Sequence, residues 1–168
     1  MAVFHYVHLR AFAHETEDPS KVRAALLAAA HDARAQVEET RVEGSHGNRI
    51  LILEADVRSG PAAKALFGAL ARDDPRGFGH VVATVRERVD ENLNFHLRLD
   101  KQEAYAGRVV LASDDDAITV RGKIRSFESK RNPDALETSL QQLEAFLSGQ
   151  SPARDGRTVK REHSSHGE

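Results

Sequence analysis

The chain has no cysteine and no tryptophan, and its 168 residues include one methionine, two tyrosines and five prolines. Without cysteine there is no disulfide framework, no thiolate metal centre and no cysteine nucleophile. Aromatic residues make up 5% of the chain, which disfavours an adaptor whose docking surface would be rich in rings. No apolar run approaches the ~20 residues that a membrane helix requires. The N-terminus runs straight into an alternating strand rather than a secretory leader. The expectation is a soluble cytoplasmic protein with no membrane partner. An excess of one charge is also missing: 24 Lys and Arg face 26 Asp and Glu, for a net charge of -2. Any polyanion must therefore be held by a local patch. Internal repeats, a nucleotide P-loop, a dinucleotide loop, a nucleophile elbow and a zincin motif are all missing.

What the chain does have is alternation. Leu93, Phe95, Leu97 and Leu99 alternate with Asn94, His96 and Arg98, the period-two pattern of a half-buried strand. Further on, Ile118, Val120 and Ile124 point one way while Thr119, Arg121, Lys123 and Arg125 point the other. Two such strands bury apolar faces and turn cations, an amide and an imidazole to solvent. That surface suits a polyanion better than a small apolar ligand. Arginine outnumbers lysine, and its flat, multi-donor head matches phosphates and base edges. The bland alternative is that long cations only solvate an exposed sheet face. Four of them on two strands, followed by Lys130 and Arg131, favour RNA.

The remaining order is α+β. Val3 to Ala13 reads as a central strand, with Val3, Val7, Leu9 and Ala11 on one face and Phe4, Tyr6, His8 and Arg10 on the other. Asp18 suits a helix N-cap and Pro19 the first helical position, ahead of a stripe of Val22, Ala25, Leu26, Ala29 and Ala30. Gln36 to Glu43 and Arg49 to Arg58 form a hairpin around Gly44 to Asn48, the first an edge strand. A helix spans Pro61 to Ala71 and breaks at Asp73-Asp74-Pro75. Val81, Val82, Val85 and Val89 suggest another, Val109 to Ala112 a short strand, and Asn132-Pro133 opens a last helix with Leu136, Leu140, Leu143 and Leu147 buried. One mainly antiparallel sheet with helices packed on one face follows. The domain is expected to cover residues 1–148. Residues 149–168, almost without apolar side chains, are expected to form a disordered polar tail.

Three clusters are candidates for chemistry. In Asp100 to Gly107, Lys101 can neutralise a phosphate, Gln102 read a base edge and Tyr105 stack on an unpaired base, with His96 nearby; the alternative is a packed tyrosine and a plain turn. The Gly44 to Asn48 turn can cradle phosphate in its amides with help from His46, or simply close the hairpin. His14, Glu17, His46 and Asp100 are the donors that a metal-dependent nuclease or phosphoesterase would use. Nothing in their spacing forces them together, and acids before Pro19 are explained by a helix start.

Four segments carry a resemblance to a known family: FAHETEDPSKVRAAL, VEGSHGNRILILEA, RVDENLNFHLRLDKQEAYAG and ITVRGKIR. Together they are similar to an archaeal RNA-binding family described as an exosome-associated subunit, across roughly residues 3 to 148. The resemblance implies an α+β fold like that of the large-subunit ribosomal protein that binds 5S rRNA. It also implies a role in RNA processing or ribosome-related metabolism, with exosome or ribosomal components as partners. The expectation from the whole sequence is a non-catalytic RNA binder with no cofactor. Its contacts would be Arg98, Lys101, Arg121, Lys123 and Arg125 to phosphate, and His46, His96, Gln102 and Tyr105 to bases, sugars or phosphate.

Overall fold

A ten-residue strand, β1 (Phe4–Ala13), lies at the centre of the sheet. Val7, Leu9, Ala11 and Ala13 are buried on one side of it, and Tyr6, His8, Arg10 and Phe12 point to the other. The computed structural model describes residues 3–126 and 133–150. Strands β2 (Val37–Glu43), β3 (Arg49–Val57), β4 (Asn94–Asp100) and β5 (Ala117–Ile124) complete a five-stranded antiparallel sheet in the order β2-β3-β1-β5-β4. The hairpin and the edge position of β2 follow the sequence expectation, and β2 is exposed along nearly its whole length.

The start of β1 departs from simple alternation. A register shift falls between Phe4, opposite Ile124, and Tyr6, opposite Lys123. The extra residue at this bulge sends Phe4 to the core side while Tyr6 remains on the open side. Phe4 then stacks on Phe67 with centroids 5.5 Å apart, and Phe146 meets its edge at 5.8 Å. The aromatic cluster fits because β5 carries Gly122 beneath Phe4. A Cβ there would lie 2.5 Å from Phe4 Cε1.

All the long helices cover the same face. Helix α1 (Pro19–Ala30) is capped by the Asp18 carboxylate, which accepts from the Ser20 amide, and it buries the five residues of its expected stripe. Helix α2 (Gly60–Asp73) follows a Ser59 cap and buries Leu66, Phe67 and Leu70. Asp74 ends α2 and caps α3 (Pro75–Ala83), its side chain accepting from Gly77. The valine-rich segment is not one helix: α3 stops at Ala83, a 3-10 turn holds Val85–Arg88, and Val89 bridges to Phe95. β-branched residues resist helix continuation, and here they pass to strand-like pairing.

Three further expectations change. Val109 to Ala112 forms only a bridge, Leu111 to Leu99, rather than a strand. The chain after β4 makes a short helix, α4 (Lys101–Tyr105), capped by the Asp100 carboxylate on Glu103. In the last helix, α5 (Pro133–Ser148), Leu136 is 46% exposed, while Ala135, Ser139, Leu140, Leu143 and Leu147 are buried. Lys130, Arg131 and the expected tail from residue 151 onward lie outside the described residues.

Candidate nucleic-acid interface

The register turns the open face of the sheet into rows. His96 of β4 stands opposite Arg121 of β5, Arg121 opposite His8 of β1, and His8 opposite Asp56 of β3. A second row runs Arg98, Thr119, Arg10, Glu54 and Glu38, from β4 across to β2. A third contains Asn94, Lys123 and Tyr6. With strands about 4.8 Å apart and alternate residues about 7 Å apart, Arg98, Arg121, Lys123 and Arg10 leave the sheet within about 15 Å of one another.

Their charges are differently compensated. Arg121 is exposed and has no carboxylate partner among the described residues. The Lys123 ammonium donates to the carbonyl of Asn92, a neutral acceptor that leaves its charge in place. Arg98 lies 2.8 Å from the fully exposed carboxylate of Asp115, a type of surface pair worth about 0–1 kcal/mol. Arg10 is 4.0 Å from Glu54. On the β3 side, His8 is held 2.6 Å from Asp56 and 3.3 Å from Glu54. The face is thus cationic over β4, β5 and the middle of β1, anionic where Asp56, Glu54 and Glu38 stand on β3 and β2, and apolar beyond them at Ile52, Ile50 and Val42.

His96 is tied rather than free. Its Nε2 donates to Asp90 at 2.8 Å, and the amides of Asn92 and Asn94 donate to the same carboxylate at 2.9 and 3.0 Å. Partial burial pushes the Asp90 carboxyl up, but these hydrogen bonds outweigh it and hold it well below the usual carboxylate range. A depressed folded-state value means that the contribution is present above the unfolded pKa near ~4 and is lost as pH falls toward the folded one. Asp90→Asn is therefore expected to lower the thermal midpoint at pH 7. The gap from wild type should shrink below about pH 4, as a series of melts across pH would reveal.

Lys101 does not join this face. It is 7% exposed, and its ammonium donates to the Phe12 carbonyl at 2.8 Å and lies 2.9 Å from both Glu17 and Asp116. Three acceptors satisfy its three protons, so it clamps β1, the start of α1 and the turn before β5. Gln102 and Tyr105 are exposed on α4, beside α1, where they line a groove with Glu17, Asp18 and Lys21. They therefore lie on the helical side, away from Arg98 and Arg121. His46 is exposed in the β2–β3 turn, at the sheet edge opposite β4. Arg125 continues the outward parity of β5, half-buried, with its Nε lacking a hydrogen-bond partner among the described residues.

The possible metal donors are rearranged as well. Among the described residues His14 and Glu17 gather with Asp116, their ligand atoms within 4.8 Å of one another, and neither His46 nor Asp100 belongs to the group. The ammonium of Lys101 already supplies the positive charge there, and Asp100 is a helix cap. The donor set is thus explained as a structural ion network. Lys101→Met is expected to cost about 1–3 kcal/mol in urea unfolding, because two carboxylates and a carbonyl lose their partner. RNA affinity of the folded protein should stay unchanged.

Residues on β1 complete the open face, and reading β4 and β5 in isolation passes over them. Tyr6, His8, Arg10 and Phe12 share the open face because β1 is inserted next to β5. Their alternation is visible in the sequence, but their neighbour is not.

A family model described as RNA binding matches residues 6–124, from β1 to the end of β5. The chain belongs to this RNA-binding family. It is 34% identical over 137 residues to the RNA-binding protein PAB1135 of Pyrococcus abyssi, covering 76% of this chain and 86% of that one. Among solved structures, it is similar to Mth689, a DUF54 protein from Methanothermobacter thermautotrophicus. That likeness has a TM-score of 0.66, 28% identity, and coverage of 86% of this chain and 98% of that one. The protein AF2318 from Archaeglobus fulgidus shares the fold, with a TM-score of 0.69, 24% identity, and coverage of 85% and 99%. The span matched to the RNA-binding family contains Arg10, Arg98, Arg121 and Lys123 together. No described helix in this family member is long and apolar enough to cross a membrane.

Proposed function

We propose that the protein binds RNA without cutting it, through the cationic half of its open sheet face. The observation that carries this reading is the alignment of Arg98, Arg121 and Lys123 on two paired strands, facing away from every described helix. Arg10 flanks them on β1 and Arg125 extends the line past β5. Phosphates meet these cations, and Arg heads add two-pronged hydrogen bonds that a lysine cannot match. His96, anchored by Asp90, presents its ring to a base or sugar. Membership of the RNA-binding family supports the ligand class. The balance of Lys101 against Glu17 and Asp116 favours a binder over a metal nuclease. The sequence blocks shared with the exosome-associated family favour a place in RNA processing or ribosome-related metabolism.

The test is a titration of labelled RNA at increasing salt. If Arg98, Arg121, Lys123 and Arg125 each neutralise one phosphate, log affinity should fall against log salt with a contribution of roughly minus three from these residues. A slope near zero would remove the electrostatic basis of the reading. Cleavage of the RNA on addition of Mg or Mn would contradict the non-catalytic part.

A further inference from the structure

Two of the described rings outside the core lie on the open face, while Tyr105 stands on α4 on the helical side. Of its seven phenylalanines, Phe4, Phe67, Phe78 and Phe95 are in the core and Phe146 packs against it. Phe12 is not part of that cluster, and neither is Tyr6. Both are half-buried on the outward side of the central strand. Phe12 stands opposite Ile52 of β3, and Ile50 and Val42 continue the same outward parity, so an apolar strip rather than a lone ring faces outward here. Each ring also has a guanidinium beside it: Arg58 lies 5.7 Å from the centroid of Tyr6, and Arg10 5.7 Å from that of Phe12. Ring and guanidinium plane are the two side-chain surfaces on which unpaired bases stack.

The charge pattern orients such a ligand. Arg98, Arg121 and Lys123 occupy β4 and β5, with Asp115 beside Arg98, whereas Glu54, Asp56 and Glu38 occupy one end of the open face of β3 and β2, which continues as Ile52, Ile50, Thr40 and Val42. A sugar-phosphate chain is attracted to the first half and repelled by the second. Its uncharged bases then extend toward β1, which separates the two halves and carries Tyr6 and Phe12. A duplex would not fit this pattern. Its base faces are hidden by pairing, and its second row of phosphates would fall toward the carboxylates of β3 and β2.

Resting on the RNA reading above, we infer that the open face takes unpaired RNA, with its backbone over β4 and β5 and its bases stacked at Tyr6 and Phe12. The polarity leads out along Lys123 to Tyr6, which also lines a cleft of about 750 Å³ with Arg58, Lys64 and Phe146. That cleft provides room for a splayed base next to two cations.

The experiment compares single-stranded and duplex RNA of equal length by fluorescence anisotropy, using the full chain. Wild type is expected to prefer the single strand by at least tenfold. Tyr6→Leu with Phe12→Leu should lower single-strand affinity by about tenfold or more, since stacking on one ring is worth ~1–3 kcal/mol per base. The salt slope should not change, because no phosphate contact is lost. Tyr6→Phe with Phe12→Tyr keeps both rings and should bind as wild type. Should the leucine variant fail to fold, a second readout remains. The chain has two tyrosines and no tryptophan, so Tyr105→Phe leaves Tyr6 as the only emitting residue of its kind. Its fluorescence should be quenched by single-stranded RNA and far less by duplex. Equal binding of both RNAs, unquenched Tyr6, or a leucine variant that binds normally would each overturn the stacking proposal. If Arg121→Glu still abolished binding in those cases, the cationic-face reading would survive. If Arg121→Glu also bound normally, both would fall, and a protein ligand for this face would be the alternative.

Discussion

Arg98→Glu combined with Arg121→Glu is expected to weaken RNA binding by about 100-fold at ~0.1 M salt while leaving the thermal midpoint nearly unchanged. Two attractions are removed and two repulsions installed on adjacent strands, in the half of the face that is otherwise cationic. The slope of log affinity against log salt should also become shallower by about 1.4, twice the ~0.7 expected per phosphate on a single strand. Stability should hardly move because both side chains are exposed and the side-chain partner of Arg98 among the described residues is a solvent-exposed carboxylate. Surface substitutions of this kind lie within about 0.5 kcal/mol. A large drop in the midpoint would instead mean that these side chains serve the fold.

Gly122→Val is expected to have the opposite profile. Gly122 sits on the core side of β5, where even a Cβ would come 2.5 Å from Phe4 Cε1 and 2.8 Å from its Cδ1. Phe4 cannot easily swing aside, since Phe67 stacks on it, Phe146 meets its edge, and Phe95 lies 6.4 Å away. Overpacking of this kind costs ~1–3 kcal/mol. In a chain of this size, that corresponds to a midpoint lowered by roughly 2–12 °C. A melt that left the midpoint unchanged would show that the ring cluster can open without penalty.

Much of this arrangement could be read from the sequence, and most of what could not concerns partners distant in the chain. Patterns local to one segment were legible: the Asp18 cap before Pro19, the buried stripe of α1, the hairpin around Gly44 to Asn48, and the outward parity of Arg98, Arg121 and Lys123. What alternation cannot supply is the neighbour across the sheet. The insertion of β1 between β3 and β5 makes Tyr6, His8, Arg10 and Phe12 part of the same face. Likewise, nothing near Lys101 in sequence reveals that Glu17 and Asp116, with the Phe12 carbonyl, absorb its charge. Strict parity places Phe4 on the face of Tyr6, but a bulge shifts the register between the two and turns Phe4 to the core. Leu136 follows the heptad-like spacing of the leucines in α5, yet the buried positions are Ala135 and Ser139, one turn-face over.

The position of bound RNA is tested most directly by photo-crosslinking it to the full chain and mapping the attached residues by mass spectrometry. Adducts should concentrate on peptides from β1, β4 and β5, above all around Tyr6, Phe12, Arg98 and Arg121. Adducts confined to α1, α2 or α5, or to the acidic strands β2 and β3, would contradict the assignment of RNA to this face.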